Sequence, residues 1–129
     1  MINTNRRQHT RVEPTPRAPV RADINGEGFI EVLNVVDISE GGIRINVPHH
    51  FNGCHIEKPV TFIITLPAPI STHFKAEGHI KHVLNDSFGV NFINLNKKSR
   101  TLIRRYIALW MRKHGKWWDY CRYTLGLID

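Results

Sequence analysis

The sequence predicts one mainly β domain, a small antiparallel barrel or sandwich followed by a C-terminal helix, and three observations predict it. The chain has 129 residues, the size of a single core, which leaves no room for a separate substrate lobe. From Val20 to Leu95, short apolar runs are separated by turn residues at the spacing of strands. Beyond Leu95 the apolar period lengthens to that of a helix.

Residues 1–19 come first. Pro14, Pro16 and Pro19 stiffen this segment, Arg6, Arg7, Arg11 and Arg17 charge it, and it shows little hydrophobic periodicity. It reads as a flexible basic arm with no core of its own. Strand signals follow at residues 29–36, 43–47, 60–66, 74–83 and 88–93. Ile43, Ile45 and Val47 alternate with Arg44 and Asn46, and Val90 and Phe92 flank Asn91, so each strand has one buried and one wet face. Asn25-Gly26, Asn52-Gly53 and Asn85-Asp86-Ser87 fall where turns are needed. Five or six such strands must hide their edges, which is what closure accomplishes. The helix then places Leu102, Ile103, Tyr106, Ile107, Leu109 and Trp110 on one face, with Arg100, Arg104, Arg105 and Arg112 largely outside it. Asn96 or Ser99 can cap its start and Gly115 can end it. The expected units are the arm at 1–19, the barrel and helix at 20–115, and an aromatic extension at 116–129 that can add a helical turn or two.

A composition of 41% hydrophobic and 22% charged residues is that of a globular protein and excludes disorder of the whole chain. Eighteen Lys and Arg against eleven Asp and Glu give a net charge of +7 and a pI near 9.9. That balance favours phosphate-bearing ligands or anionic surfaces. Cys54 and Cys121 are too few for a disulfide framework or a four-ligand zinc site, which fits a reducing compartment. No apolar run follows the basic N-terminus, and none elsewhere approaches the roughly 18 residues of a membrane span. A cytoplasmic protein is expected.

Two short motifs carry the chemistry. The arm contains Arg7-Gln-His-Thr-Arg11, and the loop after the second run contains Asp37-Ile-Ser-Glu-Gly-Gly42. Together they resemble the R-x-x-x-R and [D/N]-x-S-x-x-G signatures of the PilZ domain family, in the same order and at about the same interval. The later Gly89-Val-Asn-Phe-Ile-Asn-Leu is similar to the strand before that family's C-terminal helix, so the resemblance runs from about Arg6 to Gly115. It implies a six-stranded antiparallel β-barrel that binds the bacterial second messenger cyclic di-GMP on its outer face, with the N-terminal arm wrapping over the ligand.

The chemistry of the residues agrees. A guanidinium donates two parallel hydrogen bonds, which suits phosphate oxygens and the O6/N7 edge of guanine alike. Asp37 can accept from a guanine N1/N2 edge, Ser39 can donate or accept beside it, and Gly41 and Gly42 permit a tight turn and close backbone approach. By the resemblance, Arg7 and Arg11 hold guanine and phosphate, while Asp37, Ser39 and Gly42 form the opposing wall. A basic residue at Arg6 is associated in this family with an intercalated ligand pair, which implies two messenger molecules per protomer. Arg44 and His82 can flank the site, though neither belongs to a motif.

Other readings compete. Arg7 and Arg11 can be a solvated basic arm, Asp37 and Ser39 can satisfy backbone groups of a turn, and Gly42 can be a bulge glycine. Ser39 lies in no Gly-x-Ser-x-Gly, and no glycine loop matches a phosphate-cradling G-x-x-x-x-G-K-[S/T], so no enzyme, catalytic residue or cofactor is expected. His49, His50 and His55 near Cys54 have no metal-ligand spacing and read as loop histidines. Two further functions stay open. One is an adaptor that acts through protein contacts without nucleotide; the other is a basic β-barrel that binds RNA or single-stranded DNA through the C-terminal arginines and aromatics. Under the receptor reading, a conformational change of the arm is relayed to an unknown partner protein, with motility, pilus or exopolysaccharide control as family precedents. The aromatic C-terminus, Trp110, Trp117, Trp118, Tyr120 and Tyr123, either caps the core or forms a docking or membrane-surface patch.

Overall fold

In the computed structural model, residues 9–26, 29–47, 59–84 and 86–124 are described. Strands β1 (Arg21–Gly26), β2 (Phe29–Ile38), β3 (Gly42–Asn46), β4 (Pro59–Thr65), β5 (His73–Val83) and β6 (Ser87–Ile93) are followed by helices α1 (Lys97–Lys113) and α2 (Trp117–Thr124). The strands close in the order β1-β2-β3-β6-β5-β4. All neighbours are antiparallel, and β1 pairs with both β2 and β4, so the sheet has no unpaired edge. The barrel or sandwich expectation resolves to a six-stranded barrel. β1 was absent from the five strand signals, although Ala22 and Ile24 alternate inward between exposed Arg21, Asp23 and Asn25.

Closure buries one face of every strand. Ile24, Ile43, Ile45, Phe62, Ile64, Ile80 and Phe88 are fully buried in a single core, each stabilising the fold by roughly 1.5–3 kcal/mol relative to exposure. α1 adds Ile103, Tyr106, Ile107 and Met111 at helical spacing. Asn96 caps α1 by accepting from the Ser99 amide at 2.7 Å. At the other end Gly115 takes φ +71°, its N–H donates to the Arg112 carbonyl, and Lys116 N–H donates to the Met111 carbonyl. This pair of bonds is a Schellman motif, for which the left-handed conformation of glycine costs nothing.

Two register shifts decide what faces outward. In β2 the pairing passes from Val35↔Ile45 to Asp37↔Arg44, leaving Val36 as the extra residue of a bulge. Val35 points inward, and two residues later Asp37 would do the same. The bulge reverses that parity, so Ile38 enters the core opposite Ile43 while Asp37 shares the outer face with Arg44. In β5 the pairing passes from Ile80↔Val90 to His82↔Gly89, and His82 is moved outward in the same way.

The arm is more firmly held than expected. From His9 onward it is described, and Val12 forms an antiparallel bridge to Ile38, with both backbone bonds at 2.9–3.0 Å. Val12 is only 2% exposed. The arm, with no core of its own, thus lends this one residue to the barrel's core, a lone apolar side chain that no periodicity reveals. Trp110 Nε1 on α1 also donates to the Glu13 carbonyl at 2.9 Å.

Gly42 marks the closest approach of two strands. A Cβ there would lie 2.1 Å from the Val90 carbonyl oxygen of β6, a backbone atom that cannot step aside. Gly42→Ala is expected to destabilise the fold by roughly 2–4 kcal/mol, read as a lower urea midpoint with an unchanged slope. Burial also pushes the Tyr106 phenol from 10.0 up to about 12. Below pH 10 the phenol is neutral in both folded and unfolded chains; above it the unfolded state ionises first, so stability falls as the pH rises toward 12. Tyr106→Phe should remove roughly 2–3 kcal/mol of that alkaline loss, seen as a flatter dependence of unfolding free energy between pH 10 and 12.

Candidate functional site

The bulge in β2 leaves an acid on the outer wall of the barrel, and the arm covers it. Asp37 is buried, yet both of its oxygens meet cations. Arg11 Nη1 donates to Oδ1 at 2.5 Å. Arg44 Nε lies 3.1 Å from Oδ2 as an ion pair, but its N–H does not aim at that oxygen and the nitrogen has no hydrogen-bond partner among the described residues. The Asp37 side chain is 8% exposed against 55% for Arg11. The carboxylate is thus desolvated beneath two guanidinium groups whose outer edges face solvent. One negative and two positive charges leave a net cationic cluster, with guanidinium N–H donors that no described residue engages and that suit an anion.

The loop beneath the arm is a tight turn closed on itself. Ser39 is 1% exposed. Its amide donates to the Gly42 carbonyl at 2.9 Å, its hydroxyl accepts from the Gly41 amide at 3.1 Å, and the same hydroxyl reaches the Gly42 carbonyl at 3.4 Å. Ser39 therefore shapes the turn, and Gly42 lets β3 and β6 touch. Gly41 faces the arm, because a Cβ there would lie 2.7 Å from the His9 ring. Glu40, between them, accepts from Arg104 Nε of α1 at 2.7 Å. The motif loop is consequently tied to the helix as well as to the arm.

A row of residues crosses the outer wall from this cluster. Asp37 pairs with Arg44, Arg44 with Gly89, and Gly89 with His82, on β2, β3, β6 and β5 in turn. Gly89 has no side chain, so Arg44 and His82 stand about two strand spacings apart, roughly 10 Å, with bare backbone between them. The His82 ring leans over that gap, 3.4 Å from where a Gly89 Cβ would stand. The geometry is a shallow shelf with a flat floor, a cation at one side and an imidazole at the other.

Of the expected site residues, Arg11, Asp37, Ser39, Gly41, Gly42, Arg44 and His82 are brought to one side of the barrel. Arg6 and Arg7 lie outside the described residues, as do His49, His50, Cys54 and His55. Sequence reasoning missed His9 and Val12, which seat the arm, and Gly89, which opens the shelf. The Glu40–Arg104 and Trp110–Glu13 ties join residues far apart in the chain, and no local pattern signals them.

Solved structures share this architecture. The inhibitor of motility of Bacillus subtilis, MotI/DgrA, superposes with a TM-score of 0.70 at 17% identity, covering 84% of this chain and 52% of that one. The MrkH–c-di-GMP complex of K. pneumonia gives 0.69 at 10% identity, covering 84% and 53%. The PilZ domain of YcgR from Escherichia coli, with c-di-GMP, gives 0.63 at 15% identity and covers 88% of this chain and 98% of that domain. The chain thus spans about half the length of the first two and nearly all of the isolated domain. No curated protein matches. The family model for the PilZ domain matches residues 5–109, from the arm through the barrel and into α1, and the chain accordingly belongs to the PilZ domain family.

Proposed function

We propose that the chain is a receptor for cyclic di-GMP, which binds on the outer wall between the arm and the β2-β3-β6-β5 row. The Arg11–Asp37–Arg44 cluster is the observation that carries this reading. It combines what a guanine nucleotide requires: guanidinium donors for phosphate or the O6/N7 edge, and a carboxylate beside them that can accept from the N1/N2 edge. Asp37 already pairs with both arginines, so the ligand exchanges part of an internal ion-pair cluster for its own contacts. The shelf over Gly89 offers a base a flat floor, with Arg44 and His82 at its sides. Ser39 and Gly42 serve by holding the turn that carries Asp37, and Gly41 by leaving room for the arm.

Arg7 completes the arm's pair of arginines, and Arg6 supports the proposal of two stacked messengers per protomer. Ligand binding draws on the same arm that Val12 and Trp110 hold, and its repositioning is the signal passed to a partner protein. The proposed activity is binding and relay rather than catalysis, with cyclic di-GMP as ligand and no cofactor, and its setting is the cytoplasm. No helix among the described residues is long and apolar enough to cross a membrane.

Calorimetric titration of the purified chain with cyclic di-GMP should give micromolar or tighter binding, with no heat from GTP or cyclic di-AMP at the same concentrations. Arg11→Ala should weaken binding at least about tenfold, a loss of about 1.4 kcal/mol or more, while the melting transition stays near the parent's because Asp37 keeps Arg44. A stoichiometry near two would support the ligand pair. Parent-like binding by the Arg7→Ala/Arg11→Ala double variant would sink the assignment, and no heat from the parent would favour the nucleotide-free adaptor.

A further inference from the structure

We propose that the groove between the arm and the C-terminal half of α1 is a docking site for a short partner segment that combines large apolar side chains with acidic ones. The groove encloses about 410 Å³ on the far side of the arm's attachment to α1. Its floor is made by Ile70, Tyr106, Leu109 and Trp110, while Thr15 and Ala18 of the arm form one wall. This is room for a few apolar side chains, set against a partly buried tryptophan of the type that anchors interfaces.

The charge of the rim selects the occupant. Arg112, Lys113 and His114 border the groove, and no carboxylate is among the described residues that line it. Among the described residues, Arg112 and Lys116 at this end of α1 lie over aromatic rings, and neither they nor Lys113 pair with an acid. Arg112 lies 4.2 Å from the centre of the Trp117 ring, Lys116 lies 5.8 Å from that of Trp110, and the His114 ring stacks on Trp110 at 3.9 Å. Cation–π contact leaves the positive charge uncompensated. An apolar segment flanked by Asp or Glu supplies both missing complements, steering by charge and holding by burial.

The wall of the groove also belongs to the arm that carries Arg11. Arg11 pairs with Asp37, Val12 bridges Ile38, the Glu13 carbonyl is held by Trp110, and Thr15 and Ala18 line the groove. The eight residues from Arg11 to Ala18 thus span from one site to the other, so a ligand that moves Arg11 changes the wall against which a peptide packs. This coupling, unlike the docking itself, rests on the nucleotide reading above, and linkage makes it reciprocal.

Phage-displayed random peptides selected on the full chain, with counter-selection on Lys113→Glu, test the docking. Enriched sequences should pair Leu, Ile, Phe or Trp with Asp or Glu. A labelled consensus peptide, followed by fluorescence anisotropy, should bind at least about tenfold more weakly to Lys113→Glu and to Ala18→Trp, which fills the groove, while both variants keep the parent's melting temperature and circular dichroism. Failure to enrich any sequence, or equal binding to parent and both variants, would overturn the proposal. So would Lys113-dependent binding of phosphatidylglycerol vesicles in place of peptides, which would reassign the groove to a membrane surface. Saturating cyclic di-GMP should change peptide affinity by at least about threefold. An unchanged affinity overturns the coupling alone, and failure of the nucleotide itself to bind is read separately by calorimetry without peptide.

Discussion

A single extra residue in β2, Val36, determines which way the chemistry of this barrel faces. Alternation would send Asp37 into the core after Leu33 and Val35, where an uncompensated carboxylate is costly to hold. With Val36 bulged, Ile38 fills the interior opposite Ile43, and Asp37 emerges beside Arg44. The second bulge, in β5, brings His82 to the same outer row. Closure of the barrel needs local changes of twist, and both bulges lie where that need coincides with a candidate ligand face.

Once Asp37 is outside, it organises the arm. The carboxylate is nearly as buried as a core residue, and two guanidinium groups lie against it. Arg44 comes from the neighbouring strand and is present whether or not the arm is seated. Arg11 comes with the arm, and its contact adds to the Val12 bridge, the His9 ring over Gly41 and the Trp110 bond to the Glu13 carbonyl. Glu40 binds the same loop to α1 through Arg104. The turn at Ser39 is therefore a junction of strand, arm and helix.

The barrel was legible because alternation and turn residues are local, and the two motifs pointed to the right loop and arm. The bulges were harder to see. Apolar residues sit at 33 and 35 and then at 36 and 38, a change of parity that marks the bulge once it is sought, but a run of adjacent valines also reads as one continuous strand. β1 was missed because Ala22 is a weak apolar signal between Val20 and Ile24. Val12 was missed because one apolar residue in a polar arm has no period. The aromatic tail divides: Trp110, Trp117 and Tyr120 pack against the core, whereas Trp118 is 74% exposed. Core capping therefore accounts for part of the aromatic cluster but not for all of it.

The energies of these attachments determine what a ligand can move. The arm is held by burial of one valine, worth about 1.5–2 kcal/mol, a few hydrogen bonds at about 1 kcal/mol each, and an ion pair whose arginine is half exposed, worth about 1 kcal/mol. Its hold is of the order of 5 kcal/mol. A ligand reseats such an arm only when it binds the moved position more tightly than the seated one by at least that amount. The strands are different, since β1 alone pairs along its length with two neighbours and buries Ala22 and Ile24. Binding at the outer wall can thus redistribute the arm while leaving the barrel as a fixed frame, and whatever packs on the arm's other side, along α1, is exposed to that redistribution. The shift in population is set by the difference in ligand affinity between the two arm positions, with about 1.4 kcal/mol for each tenfold change.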